Sequence, residues 1–351
     1  MARPPTPQRN HRSPEAARPR PRIVNSTEHQ AFLAARLTAR DRWLLRMLHE
    51  HRVLTSHQIT DLAFPSGRAT RQRLLELFTW SLLDRFQPFA ALGAAPMHYV
   101  LAPAGASVLA AEEGLDVRDL GYRRERAFGI AYSLRLAHTV GVNTWFTSLV
   151  HRARCDTASA LSSWWSETRV ARHFGDLVRP DAYGRWQTEG REVEFFLEYD
   201  TGSEALRVVT AKLHGYARLA EATGITTPIL LWLPTARRET GARRALARAW
   251  ADLDHPERVP VATATPEPPA GHANPADAVW LPLDATGAGG RRPLHRLPDA
   301  WPYLGPASVP NPPSAPGDPG PSLAPTLPPP DPMPPSSAAS TTPYPGKRVG
   351  R

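Results

Sequence analysis

The chain has 351 residues, with 39 prolines, one cysteine and a formal net charge of +9. One cysteine excludes an internal disulfide and a cysteine-built zinc site, and no run of 18 or more uncharged apolar residues supplies a membrane-spanning helix. The charged start lacks the apolar stretch of a secretory signal, so a cytoplasmic location is expected, and the positive excess, nearly all arginine, favours polyanionic partners by counterion release.

Residues 1–27 are rich in proline and arginine and carry no hydrophobic period, which predicts a disordered basic arm. Residues 28–115 read as a DNA-binding unit of the winged helix-turn-helix kind. Thr38 caps a helix whose stripe is Leu44, Leu45 and Leu48, with Asp41 three residues after the cap. Thr55 opens a short second helix carrying Ile59 and Leu62. Pro65-Ser66-Gly67 is a turn, and a third helix runs from Ser66 to Trp80 with Leu74, Leu75, Leu77 and Phe78 inward. Two extended pieces, Leu82 to Phe86 and His98 to Leu101, flank a Gly/Ala/Pro loop that reads as a wing. In such folds the third helix enters the major groove. Arg68, Thr70, Arg71 and Arg73 at its start, with Arg85 at the wing, are the candidate contacts to double-stranded DNA. A winged helix used for dimerisation or protein contact is the competing reading, because basic helix faces are often only solvated.

Pro103 to Glu113 is expected to be helical and to stop at Gly114. A long helix is expected over Ala127 to Arg152, with no role for His138 within it. Cys155 follows as an expected buried, inert thiol. Within residues 116–297 the densest chemistry lies between Asp176 and Tyr216. Leu177 to Tyr183 and Val193 to Tyr199 form an antiparallel hairpin about a turn at Thr188-Glu189-Gly190. Side-chain alternation puts Glu194, Phe196, Glu198 and Asp200 on one face. Asp181 on the neighbouring strand completes a cage of carboxylate oxygens suited to Mg²⁺ or Mn²⁺. Thr201 with Glu204 reads as a capping box opening a helix, and Lys212 lies at the edge of that helix's buried stripe of Leu206, Val209, Leu213, Tyr216 and Ala220. Pro228 to Leu233 is a wholly apolar strand of the kind found inside a covered sheet. A further helix from Arg237 to Trp250 and late strands at Val259 to Ala264 and Ala278 to Leu283 follow. Residues 298–351 are a proline-rich tail expected to be disordered.

The runs RPDAYGRW, VEFFLEYDTGSE and KLHGY resemble the core of the PD-(D/E)xK nuclease superfamily. The wider span from about Leu37 to Leu233 resembles the replication-relaxation family of actinobacterial plasmids and integrated elements. The run His138 to Asn143, the Trp165 to Glu167 triplet and the Glu-Tyr-Asp-Thr-Gly segment carry that likeness. The resemblance implies an α/β (α+β) chain: a winged helix, then a restriction-endonuclease-like αβββαβ core. It implies Asp181 and Glu198 as metal ligands and Glu167 as an auxiliary acid. The chain departs from the superfamily pattern in having Asp200 where a lysine is expected, so either Lys212 replaces that lysine from the helix or the site is degenerate. The resemblance also implies work on DNA in plasmid replication, relaxation or transfer, with other replication or transfer proteins as partners. A metal-dependent nicking enzyme, a non-catalytic DNA-binding accessory protein and a transcription regulator all remain open from sequence.

Overall fold

The computed structural model describes residues 26–90, 93–266, 273–283, 290–304 and 327–336. The expected basic arm lies outside them, except that Thr27 already begins a helix.

The N-terminal helices start where short polar side chains satisfy the orphan backbone donors of the first turn. α1 (Thr27–Arg36) is capped by Ser26, and α2 (Ala39–His51) by Thr38 in a reciprocal box with Asp41. β1 (Leu54–Thr55) leads into α3 (Ser56–Ala63), where Thr55 and Gln58 form a second box. α4 (Gly67–Thr79) is capped by Ser66. β2 (Leu83–Phe86) and β3 (His98–Leu101) then pair antiparallel, giving a small sheet of order β1-β3-β2. α5 (Pro103–Glu112) closes this unit with proline at its first turn.

The expected continuous helix over residues 127–152 is broken. α6 (Arg124–Phe128) runs into a 3₁₀ turn at Gly129–Tyr132, and the backbone becomes extended at Ser133. The Ser133 hydroxyl accepts the Arg135 N–H at 3.1 Å, a local bond that competes with helix continuation. α7 (Leu136–Cys155) follows. Cys155 is its last residue and is exposed, which corrects the expectation of a buried thiol.

A six-stranded sheet builds the second half, in the order β4 (Ser159–Ser166), β5 (Ala182–Thr188), β6 (Arg191–Tyr199), β7 (Ile229–Trp232), β8 (Val261–Ala264) and β9 (Leu281–Pro282). β4, β5 and β6 are antiparallel neighbours, β6, β7 and β8 run parallel, and β9 is antiparallel to β8. The β5–β6 turn holds Glu189 and Gly190 at positive φ, the demand of a two-residue turn that matches strand twist. α8 (Glu167–Phe174), between β4 and β5, was not anticipated. α9 (Leu206–Thr223) and α10 (Ala236–Ala251) make the crossovers to β7 and β8.

Both sheet faces are covered. α7 sets Trp145, Phe146 and Leu149 against Trp164, Phe195 and Trp232, within a buried cluster continuous with the leucines of α2 and α3. On the other face α9 and α10 place Val209, Leu213, Tyr216 and Leu246 on Phe196, Leu231 and Val261. The alternation expected along β6 holds, with Phe195 and Leu197 on one side and Phe196 on the other. Gly141 lets α7 approach the end of β6: a Cβ there would stand 2.5 Å from the Tyr199 ring.

The expectation of a disordered tail is corrected at residues 298–304 and 327–336, its remainder lying outside the described residues. Leu294–Ala300 is a 3₁₀ turn with Trp301 buried behind it. Leu327 is buried, the Trp43 indole donates to the Asp331 carbonyl at 2.7 Å, and Arg169 donates to the Leu327 carbonyl at 2.9 Å. A proline-rich segment has few backbone donors to satisfy, so two side-chain donors from the core suffice to seat it.

Candidate functional site

Where β5 begins and β6 ends, three elements bring charge together. Asp181 stands just before β5 and is buried; one of its oxygens accepts the Tyr199 backbone N–H at 2.8 Å and faces the His138 Nε2 of α7 at 3.1 Å. Glu198, in β6, is also buried; it accepts the Tyr216 hydroxyl at 2.5 Å and the Lys212 ammonium, both from α9. Lys212 Nζ lies 3.9 Å from the other Asp181 oxygen and thus joins the two acids. The cavity they line measures about 560 Å³ and also has Asp200 and Glu167 on its wall.

The two carboxylates titrate apart. Burial pushes Glu198 up, with the Asp181 charge adding to it and Lys212 opposing, to about 7. Burial also works to raise Asp181, but the His138 hydrogen bond, the Lys212 charge and the Tyr199 N–H outweigh it and hold Asp181 below the usual range. His138 is raised, because Asp181 overcomes the cost of its burial. Burial works to lower Lys212, yet the charges of Glu198 and Asp181 outweigh it and raise the amine. Two acids with opposed shifts around one lysine are the pattern of a site that separates proton-holding from charge-holding roles.

The other sequence candidates divide. Asp200 reaches the cavity wall, but its carboxylate takes Arg238 Nε at 2.6 Å and the Gly202 N–H at 2.6 Å. That local turn also defeats the expected Thr201–Glu204 capping box. Gly202 takes φ 81°, Arg238 donates to the Glu204 carbonyl, and α9 starts only at Leu206 with no side-chain cap. Glu167 opens α8 and takes both 2.9 Å bonds from Arg135 at the cavity rim. Of the candidate DNA contacts, Arg68 and Arg71 are exposed on the first turns of α4. Thr70 is fully buried and hydrogen-bonded to Thr60 and the Ser66 carbonyl, out of reach of a groove. Arg73 is held by Asp41 and Glu76 and lies over Trp80, and Arg85 stacks on Phe78.

Sequence reasoning missed His138 and Tyr216 as site residues. Tyr216 follows Lys212 by four positions, so both project from one helix face, a signal visible in the spacing. His138 opens the His138–Asn143 run, but only the fold shows that it meets Asp181. Among the described residues no three His, Cys, Asp or Glu side chains are grouped to hold a metal ion alone. Asp181 and Glu198 are hard oxygen donors of the kind that suits Mg²⁺ or Mn²⁺, and their oxygens face Tyr199 N–H, His138, Lys212 and Tyr216.

A model of the replication-relaxation family matches residues 45–230, more than half of the chain. The chain belongs to the replication-relaxation family. The matched span runs from α2 into β7, so His138, Asp181, Glu198 and Lys212 of this replication-relaxation protein all lie within it. No curated protein and no solved structure matches the chain.

Proposed function

We propose that this replication-relaxation protein acts on plasmid or mobile-element DNA, holding the duplex through a winged helix and nicking one strand at the Asp181–Glu198–Lys212 site. The observation that carries the reading is the convergence of an acid before the second sheet strand, an acid at the end of the third and a lysine from the next helix in one cavity. With β4-β5-β6 antiparallel and β7 parallel to β6 across α9, this placement agrees with a PD-(D/E)xK-like core whose lysine has moved from the strand to the helix.

In this reading Asp181 and Glu198 would hold Mg²⁺ or Mn²⁺, which supplies charge neutralisation at the scissile phosphate and an acidified water. Lys212 orients water or binds a phosphate oxygen once released from Glu198. His138 and the Tyr199 N–H keep Asp181 ionised. Tyr216 aims the Glu198 carboxylate. Arg68 and Arg71 supply exposed charge on the helix that would meet the groove.

A non-catalytic accessory role is the second reading. It is favoured by the pairing of each acid with a cation: Glu198 with Lys212, Asp200 with Arg238 and Glu167 with Arg135. The deciding experiment is conversion of supercoiled plasmid to open circle with Mg²⁺ or Mn²⁺. Cleavage by the wild type and its loss in Asp181→Ala and Glu198→Ala supports the nuclease. Intact plasmid with retained DNA binding in all three proteins supports the accessory role.

A further inference from the structure

α2 does not end in glycine, the residue best suited to a reversed backbone. It ends at Arg52, with φ 69° and ψ −46°, and the Val53 N–H closes on the His51 carbonyl at 2.8 Å. This is a γ-turn in its rare positive-φ form, a strained geometry for a residue bearing a side chain. Asn143 of α7 clamps it, donating to the Val53 carbonyl at 2.7 Å and the His51 carbonyl at 3.3 Å. Strain held in place by a dedicated amide points to a use for the arginine it presents.

Arg52 enters a cavity of about 140 Å³ whose wall also carries Arg123, Arg126 and Arg172. The acid on that wall, Glu50, is consumed by a two-bond pair with Arg169. Burial and then the charges of Arg126 and Arg135 hold the Arg52 guanidinium below its usual pKa, against the opposing charge of Glu167. A second hollow of about 40 Å³ shares Arg52 and Thr168 with the first, and it shares His138, Glu167 and Asp181 with the acidic cavity. The three hollows are therefore neighbours, with arginines lining the outer one and acids lining the one at the other end. The basic end is smaller than the roughly 300 Å³ of a site for a whole small molecule. It suits a phosphate group on a chain that passes through.

We infer that the Arg52 cleft is a phosphate subsite that seats the backbone of the same DNA strand a few nucleotides from the Asp181–Glu198 centre. Arg52 and Arg126 each hold one phosphate charge, and Glu167, fixed by Arg135, marks the crossing from the basic to the acidic end. This inference rests on the reading of the acidic cavity as a DNA site.

The test uses the full chain and a short fluorescein-labelled oligonucleotide, single-stranded and duplex, with affinity measured over a salt series. Arg52→Gly removes the cation and also relieves the γ-turn, since glycine takes positive φ freely, so its melting temperature should not fall. Arg126→Gln is the exposed companion. Each variant should lower the slope of log affinity against log salt by about 0.9 on duplex, or about 0.7 on single strand. Sodium pyrophosphate serves as the free-anion probe. If pyrophosphate protects the wild type from heat but not Arg52→Gly, and the DNA slope is unaltered, the cleft is a small-anion site and the inference fails. An unaltered slope without any pyrophosphate effect overturns the subsite altogether. If the slope falls as expected but the wild type never nicks plasmid, the subsite stands and the nuclease reading fails. Nicking by Arg52→Gly at the wild-type KM, with an unaltered slope, does the reverse.

Discussion

At the scale of single residues, Glu198 sets the pH behaviour of the site. Its pKa is raised, so the proton is retained until about pH 7 and the carboxylate that the proposed reading assigns to metal is ionised only above that. Any metal-dependent nicking should rise between about pH 6 and 8. The Tyr216 hydroxyl donates to the ionised form and so favours it; Tyr216→Phe should shift the rising limb to higher pH, and a pH–rate profile identical to wild type would rule out this role. Lys212→Gln should abolish nicking while leaving DNA affinity within a few-fold, as measured on the same plasmid and oligonucleotide. Glu198 and Lys212 were legible in the sequence because strand alternation and helix period fix which way they point, whereas Asp181, expected within a strand from Leu177, stands one residue before β5. The competition that breaks the Thr201 cap was not, since it depends on Arg238, 38 residues from Asp200 in the chain and adjacent only in the fold.

Among the elements, the junction of α2 with β4 and α8 rests on one buried ion pair. Glu50 accepts the Ser166 N–H and hydroxyl as well as Arg169 Nε and Nη2, at 3.1, 2.8, 3.0 and 2.7 Å. Burial alone would raise its pKa, but the Arg169 bonds and charge hold it near 2. A folded pKa below the unfolded value means that the stability it adds is present above about pH 4.5 and is lost as pH falls toward 2. Glu50→Ala strands Arg169 without a counter-charge and should cost ~3–5 kcal/mol, read as a melting point lower by roughly 10 °C. A change under about 1 kcal/mol would show that water reaches the site and screens the pair. The cap at Thr38 could be read directly, because it is a local pattern of four residues, and Thr55 and Ser66, read only as helix starts, prove to be caps of the same local kind. The break before α7 could not, since the apolar period continues through Ser133 while the backbone does not.

Over the whole molecule, the proline-rich segment 327–336 contributes to the fold that composition alone assigned to disorder. A chain ending at residue 326 loses the burial of Leu327 and the hydrogen bonds from Trp43 and Arg169, together about 2–4 kcal/mol. Its melting point should fall accordingly, and equal melting of the two chains would show that the segment does not bind in solution. Arg68→Ala with Arg71→Ala should weaken DNA binding without moving the melting point, because both side chains are exposed on α4. The apolar packing of α7 on the sheet has a further, optical consequence. Trp145, Trp232 and Trp280 come from three separate segments, yet their rings lie 5.7 to 6.3 Å apart, and all three are buried. Indoles so close and so fixed couple their electronic transitions, so the native chain should show a near-ultraviolet circular dichroism signal, and the share that Trp145 contributes should be lost once α7 lifts from the sheet, a label-free report of its docking.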